Sequence, residues 1–287
     1  VVAENGRVVG IRYKQQTEHG CVQARKAVVL AAGGFTMNEA MLQQYCPTLA
    51  DLRVHKLGNP HDDGSGIRLG LSAGAQALHM DGCLVTSPIY PEEQLIKGIL
   101  VNAEGRRFVA EDSYHARSTA FMLRQPQGRV YLIVDQDCHG QPQMMGQSLI
   151  DAWETVEEME QALELRAGAL QQTLRDYNEH ARRGQDPEFH KDAKWLQPLA
   201  HPPYGAYECS LGKAGYVGFT LGGLRVSIDG EVLNAQGRAI PGLYAAGGCA
   251  SNIAQDGSGY SSGTCIGEAT FFGRRAGLAV AGLGTRA

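Results

Sequence analysis

The chain has 287 residues, 43% of them hydrophobic and 20% charged, a balance that suits a buried core and excludes a disordered chain. A formal net charge of −4 gives nucleic acid or an acidic membrane surface nothing to hold, and no run reaches 18 apolar residues, so no membrane span is expected. Glycine is the outlier at 37 residues against 11 prolines; that is about 13% where roughly 7% is usual, and it points to backbone lying close to backbone or to a ligand.

Taken in order, residues 8–11 and 21–24 predict strands, separated by a polar bend at Glu18-His19-Gly20. The run 27–32 is apolar at every position, as in a parallel strand buried on both faces, and it ends in Gly33-Gly34. A short helix is expected over 38–45 and a small-residue helix over 67–73, closed by Gly74. Strands follow at 98–102 and 129–135. Residues 151–180 predict a charged amphipathic helix with Leu163, Ala167, Leu170, Leu174 and Tyr177 on one face. Further strands are expected at 222–228 and 243–246, the latter ending in Gly247-Gly248, and a last helix over 263–278. The chain opens on Val1-Val2-Ala3-Glu4, already strand-like and without an initiator Met, which reads as a truncated protein.

Three glycine-rich passages draw attention: Ala31-Ala32-Gly33-Gly34, Ala245-Ala246-Gly247-Gly248, and the loop 256–263 that opens the last helix. Loops at the carboxyl ends of parallel strands are where α/β sheets hold ligands, and a helix amino terminus favours an anion or a reduced cofactor. No strand leads into G-x-G-x-x-G, and there is no Walker motif, G-x-S-x-G elbow or H-E-x-x-H. His55, His61, His79 and His115 show no metal-ligand spacing, and no metal is expected. Seven scattered cysteines without a C-x-x-C pair predict reduced thiols and a cytoplasmic setting.

In this order, Val8-Val9-Gly10-Ile11, the run Lys26 to Phe35, Asp63-Gly64-Ser65-Gly66-Ile67, the segment Asn102 to Glu111, Thr220-Leu221-Gly222-Gly223-Leu224 and Ile240 to Gly247 resemble the fumarate reductase and ketosteroid dehydrogenase flavoproteins. The resemblance spans nearly the whole chain. It implies an α/β fold with an α+β cap: an incomplete Rossmann-like FAD-binding domain, residues 1–50 and 205–287, with a substrate-covering cap over 51–204. It also implies FAD, with Ala32, Gly33, Gly34, Ala246, Gly247, Gly263, Thr264 and Ile266 as candidate contacts. The family's amino-terminal fingerprint is not present, so the fragment alone is not guaranteed to hold FAD.

Within the family, dicarboxylate enzymes place an Arg in the loop before the last helix. Here that loop reads Asp256-Gly257-Ser258-Gly259-Tyr260-Ser261-Ser262-Gly263, with no Arg, and Tyr260-x-Ser262 is similar to the 4,5-desaturating 3-ketosteroid dehydrogenases. The resemblance then implies Tyr260 as the base that removes a proton next to a ketone, Ser262 and Tyr114 as a relay, and hydride transfer to flavin N5. Tyr204 and Gly222 are candidate substrate contacts. The expected partner is a small apolar molecule, a steroid, with an electron acceptor that the sequence does not identify. Reduction of an unsaturated acid such as fumarate is the second reading, and a non-catalytic scaffold the third.

Overall fold

The computed structural model describes residues 1–283, and the chain divides into two compact units. The first comprises residues 1–51, 56–84 and 218 onward; the second comprises 52–55 and 85–217.

In the first unit, strands Val2–Glu4, Arg7–Gln15 and Glu18–Gln23 form an antiparallel sheet. Its first turn is Asn5-Gly6, both at positive φ (49° and 74°), the geometry that matches the twist of a two-residue hairpin. The second bend falls at Gln16, φ 53°, and not at 18–20: Glu18, His19 and Gly20 pair with Gln15, Lys14 and Tyr13. A second sheet runs Glu231–Leu233, Ala239–Ala245, Val28–Leu30. The last two strands are parallel, with Leu243 beside Val28 and Ala245 beside Leu30, so both double-glycine ends emerge at the same edge. The expectation of a strand buried on both faces fails at Val29, which is 43% exposed; Val28–Leu30 is the outer strand of its sheet.

Helix Ser65–Ser72 shows why small residues recur there. A Cβ on Gly66 would sit 2.4 Å from Cys249 Sγ, and one on Gly70 would sit 2.4 Å from Leu224 Cδ1, so the helix packs by its backbone. The last helix, Thr264–Gly282, starts at Gly263 in the left-handed conformation without a side-chain cap. Arg275 ties it to Asp229 at 2.6 Å and to the Ile228 carbonyl at 2.9 Å.

The second unit is built on a four-stranded antiparallel sheet in the order Leu149–Trp153, Tyr204–Glu208, Val130–Val134, Ile99–Asn102. Every residue of Val130–Val134 is buried. The predicted single helix over 151–180 is a strand and two helices, Val156–Ala162 and Ala169–Arg182. Glu164 (φ 52°) and Gly168 (φ 78°) interrupt it, and Glu160 caps the second helix by accepting from Gly168 N at 2.8 Å and Gln171 N at 2.9 Å. The apolar spacing survives on that helix, where Leu170, Leu174 and Tyr177 are buried. Among the described residues no helix is long and apolar enough to cross a membrane, and all seven cysteines are free.

Candidate functional site

In the first unit both strand ends open on one cavity of about 280 Å³. Gly33 and Gly34 wall one side and Gly247 and Gly248 another; Asp62, Phe219, Thr220, Asn252, Cys265 and Glu268 contribute to the rest. Glycine is required here by space. A Cβ on Gly248 would meet Gly34 N at 2.8 Å, and Gly33, at φ +81°, would meet Asp62 Oδ1 at 2.0 Å. Buried Thr36 and half-buried Thr220 lock the first loop: Thr220 Oγ1 accepts from Phe35 N at 3.3 Å, and Thr220 N donates to Thr36 Oγ1 at 3.0 Å. Cys249 joins the two ends, its Sγ accepting from Ala32 N at 3.1 Å and donating to the Gly33 carbonyl at 3.3 Å. Burial pushes that thiol above its ordinary value.

Asn252 gives its amide nitrogen to Cys265 Sγ at 3.2 Å, while its buried Oδ1 has no partner among the described residues. Glu268, one turn after Thr264, accepts from Ile253 N at 3.2 Å; burial raises its carboxyl, and that amide offsets part of the rise. A wall of glycine backbone with one unused buried acceptor fits a flat ring system bearing N–H or O–H groups. Gly33, Gly34, Gly247, Gly248 and Asn252 are the residues that would hold it. Sequence reasoning missed Asp62, Cys249, Asn252 and Glu268. Only Glu268 carried a signal, since it lies four residues after Thr264 on one helix face.

The structure also locates the other predicted residues of this unit. Tyr260 packs edge-on against Phe219, ring centroids 5.7 Å apart at 80°, so the loop at 256–263 borders the cavity through a residue that walls it. Asp256 Oδ1 shapes this loop by accepting from Ser258 N and Gly259 N, both at 2.9 Å. Ser262 and Gly263 are exposed, and Thr264 Oγ1 donates to the Ser261 carbonyl at 2.6 Å. Ile266 is 73% exposed, and Ala246 is buried behind Gly247. Gly222 is explained by packing, because a Cβ there would lie 2.3 Å from the His79 carbonyl oxygen.

The second unit holds Tyr114 and Tyr204. Tyr114 precedes helix His115–Met122 and packs on His115 at 4.1 Å between ring centroids. The segment leading to it is anchored by a buried ionic knot. Arg107 bonds Glu111 (Nη2 to Oε2, 2.9 Å) and Asp186 (Nη2 to Oδ2, 3.0 Å), and Lys191 Nζ lies 3.1 Å from Glu111 Oε2. The guanidinium is flanked by the rings of Tyr177 and Phe189 at 4.9 and 5.0 Å. Burial alone would raise the Glu111 carboxyl, but Lys191 and Arg107 hold it below its ordinary range. Tyr204 opens strand Tyr204–Glu208, and burial, then the charge of Asp135, raises its phenol. Asp135, Asp137 and His201 bring ligand-type atoms within 4.8 Å of one another. Both Asp135 oxygens already accept backbone N–H groups, from Asp137 and Cys138 on one side and Ala200 and His201 on the other, which marks Asp135 as the staple of the turn before Tyr204.

A cavity between two parallel strand ends, bordered by the start of a long helix, defines a dinucleotide-type cofactor site in an α/β fold. The comparison with known families agrees: residues 1–263 match the FAD binding domain, and the chain belongs to that family, whose cofactor is FAD. Among solved structures it is similar to the 3-ketosteroid-delta4-(5alpha)-dehydrogenase from Rhodococcus jostii RHA1 in complex with 4-androstene-3,17-dione, at 38% identity and a TM-score of 0.88 over 97% of this chain. The 3-ketosteroid delta1-dehydrogenase from Sterolibacterium denitrificans follows at 28% identity and a TM-score of 0.73 over 98% of this chain. Among curated proteins, NADH:acrylate oxidoreductase of Vibrio harveyi is 30% identical over 272 residues, 86% of this chain. The chain spans 57% of each of the two structures and 26% of the acrylate oxidoreductase.

Proposed function

We propose that this chain is the greater part of an FAD-dependent dehydrogenase that introduces a carbon–carbon double bond beside a ketone, with a 3-ketosteroid as substrate and the 4,5 bond as the one formed. The observation that carries the reading is the loop 256–263 beside the cofactor cavity, which contains Tyr260 and neither Lys nor Arg where a dicarboxylate enzyme needs a cation. An unsaturated acid would lose its charge-assisted bonds there, whereas a neutral ketone needs only N–H donors. The likeness to the 4,5-dehydrogenase structure at 38% identity supports the same choice. Residues 1–51, 56–84 and 218 onward then serve the cofactor, and 52–55 with 85–217 the cap.

Bound FAD supplies the two-electron acceptor. The uncapped start of helix Thr264–Gly282 offers backbone N–H groups and partial positive charge to the ketone oxygen, which lowers the cost of the enolate-like charge that builds when the adjacent carbon loses a proton. Tyr260 takes that proton. A phenol titrates near 10 and is a weak base at neutral pH, so it has to act while the oxygen's charge is being stabilised. Ser262 and Tyr114 pass the proton on, and Tyr204 contacts the substrate's apolar body.

The test is turnover of the FAD-loaded holoenzyme on a 3-ketosteroid with an artificial electron acceptor, set against fumarate and acrylate reduction with a reduced dye. Tyr260→Phe is expected to keep FAD and steroid binding and to lose roughly 10²–10⁴-fold in turnover. Near wild-type turnover in that variant removes Tyr260 from the mechanism, and acid reduction without steroid turnover moves the assignment to the second reading.

A further inference from the structure

In the second unit Tyr114 is surrounded more elaborately than a surface ring at a helix start requires. The imidazole of His115 lies against it, centroids 4.1 Å apart with the planes at 41°. Tyr90 meets the imidazole edge-on at 6.3 Å and 61°. His115 Nδ1 is 2.5 Å from Oγ1 of Thr86, which is 7% exposed. This bond fixes the ring about its side-chain torsions.

The backbone that carries the ring is fixed independently. Thr119 Oγ1 donates to the His115 carbonyl at 2.7 Å and accepts from Ser87 N at 2.8 Å, and Ser87 Oγ donates to the Gly215 carbonyl at 2.7 Å. A stack on a mobile imidazole would leave the phenol free to swing. A stack on an imidazole held at Nδ1 and through its main chain allows one direction. Burial keeps His115 below its ordinary titration range, so at neutral pH the ring is uncharged and acts on its neighbour by shape.

We propose that His115 is the positioning residue of Tyr114, and that Thr86 sets the direction of the Tyr114 phenol by holding His115. The inference rests on the assignment of Tyr114 to proton transfer given above, and it deepens that assignment. Thr86 and Tyr114 are separated by 27 intervening residues in sequence, and neither shows a motif linking it to the other; the imidazole between them makes the connection.

The test uses the FAD-loaded holoenzyme and four variants, with Tyr114→Phe as a fifth for signal assignment. Thr86→Val and His115→Phe each remove the Thr86–His115 bond while keeping volume or ring, Thr86→Ser keeps the hydroxyl, and Thr86→Val/His115→Phe removes both partners. Because the two residues act through one contact, the double variant should lose no more than the worse single variant. Each single loss is expected to be roughly ten- to a hundredfold in kcat on the ketosteroid, with KM within about twofold and Thr86→Ser near wild type. In ¹³Cζ-tyrosine NMR, the Tyr114 signal, assigned through Tyr114→Phe, should shift or broaden in Thr86→Val and His115→Phe and stay in place in Thr86→Ser. An unmoved Tyr114 signal, losses that multiply in the double variant, or Thr86→Ser as poor as Thr86→Val overturns the proposal. If the wild-type holoenzyme turns over no ketosteroid, the reaction assigned above is what fails, and the NMR arm still decides the positioning claim.

Discussion

Replacing Arg107 with Met separates the buried ionic knot from its surroundings more sharply than any other single change. The guanidinium makes four bonds to two carboxylates: Nε and Nη2 to Glu111 at 3.1 and 2.9 Å, Nη1 and Nη2 to Asp186 at 3.3 and 3.0 Å. Methionine fills most of the same volume between Tyr177 and Phe189 and makes none of them. Glu111 is then left with Lys191 as its one cation and the Leu100 amide, and Asp186 with only the amides of Glu188, Phe189 and Lys191. Removing one partner of a buried pair costs about 3–5 kcal/mol, because the remaining charge is left without a partner. For a chain of this size that corresponds to a fall of roughly 6–20 °C in the melting temperature of the second unit. Differential scanning calorimetry from about pH 3 to pH 8, which reaches below the ordinary carboxylate range, reads it. The carboxyls of Glu111 and Asp186 sit below their ordinary range despite the opposing effect of burial. Their contribution is therefore complete above the ordinary carboxylate pKa and lost as pH falls through the lowered one, so the gap between wild type and variant should narrow only in acid. A loss under about 1 kcal/mol, or a gap that widens in acid, refutes the reasoning.

Two further outcomes follow from the first unit and the cysteines. Gly248→Ala puts a Cβ 2.8 Å from Gly34 N, and overpacking of this kind costs about 1–3 kcal/mol; the holoenzyme should lose FAD on gel filtration, read as the ratio of flavin to protein absorbance, while Gly277→Ala, whose Cβ meets nothing within 4 Å, should retain it. Burial pushes the Cys138 and Cys209 thiols up to about 12, so iodoacetamide at pH 8.5 should label exposed Cys21 and spare both until the protein is denatured, as read by peptide mass spectrometry.

The parts of this molecule legible in its sequence are those written in local pattern. An apolar run ending in two glycines predicts a strand that leaves a sheet at a ligand edge, and 28–30 and 239–245 meet there in parallel. The small residues over 67–73 predict a helix that sits close to its neighbours, and Gly70 packs so in a helix that begins two residues earlier, at Ser65. What pattern cannot show is what comes from far away in the chain. Arg107 and Glu111 stand one helical turn apart in sequence, yet the partners that make them a buried knot, Asp186 and Lys191, arrive some eighty residues later. The apolar face expected over 151–180 holds at buried Leu163, Leu170, Leu174 and Tyr177 and fails at exposed Ala167, which lies in the break between Glu164 and Gly168; spacing records which face is buried and not whether the backbone is continuous. Val29 is apolar yet 43% exposed; hydrophobicity alone does not say whether another element covers a strand's face.

Charge placement argues further for a neutral substrate. Arg275 is engaged by Asp229 and the Ile228 carbonyl, Arg225 by Gln76, and Arg107 and Lys191 by Glu111 and Asp186. Each of these cations is already matched to a protein acceptor, and moving one onto a substrate carboxylate would leave a carboxylate or carbonyl of the protein behind without its donor. For the buried pair that penalty is the 3–5 kcal/mol already assigned to Arg107. The loop before the last helix adds no cation of its own, since 256–263 contains neither Lys nor Arg, so a dicarboxylate would lack the opposite charge it needs there. A ketone faces neither cost: its oxygen asks for donors, and an uncapped helix start provides them without a counter-ion.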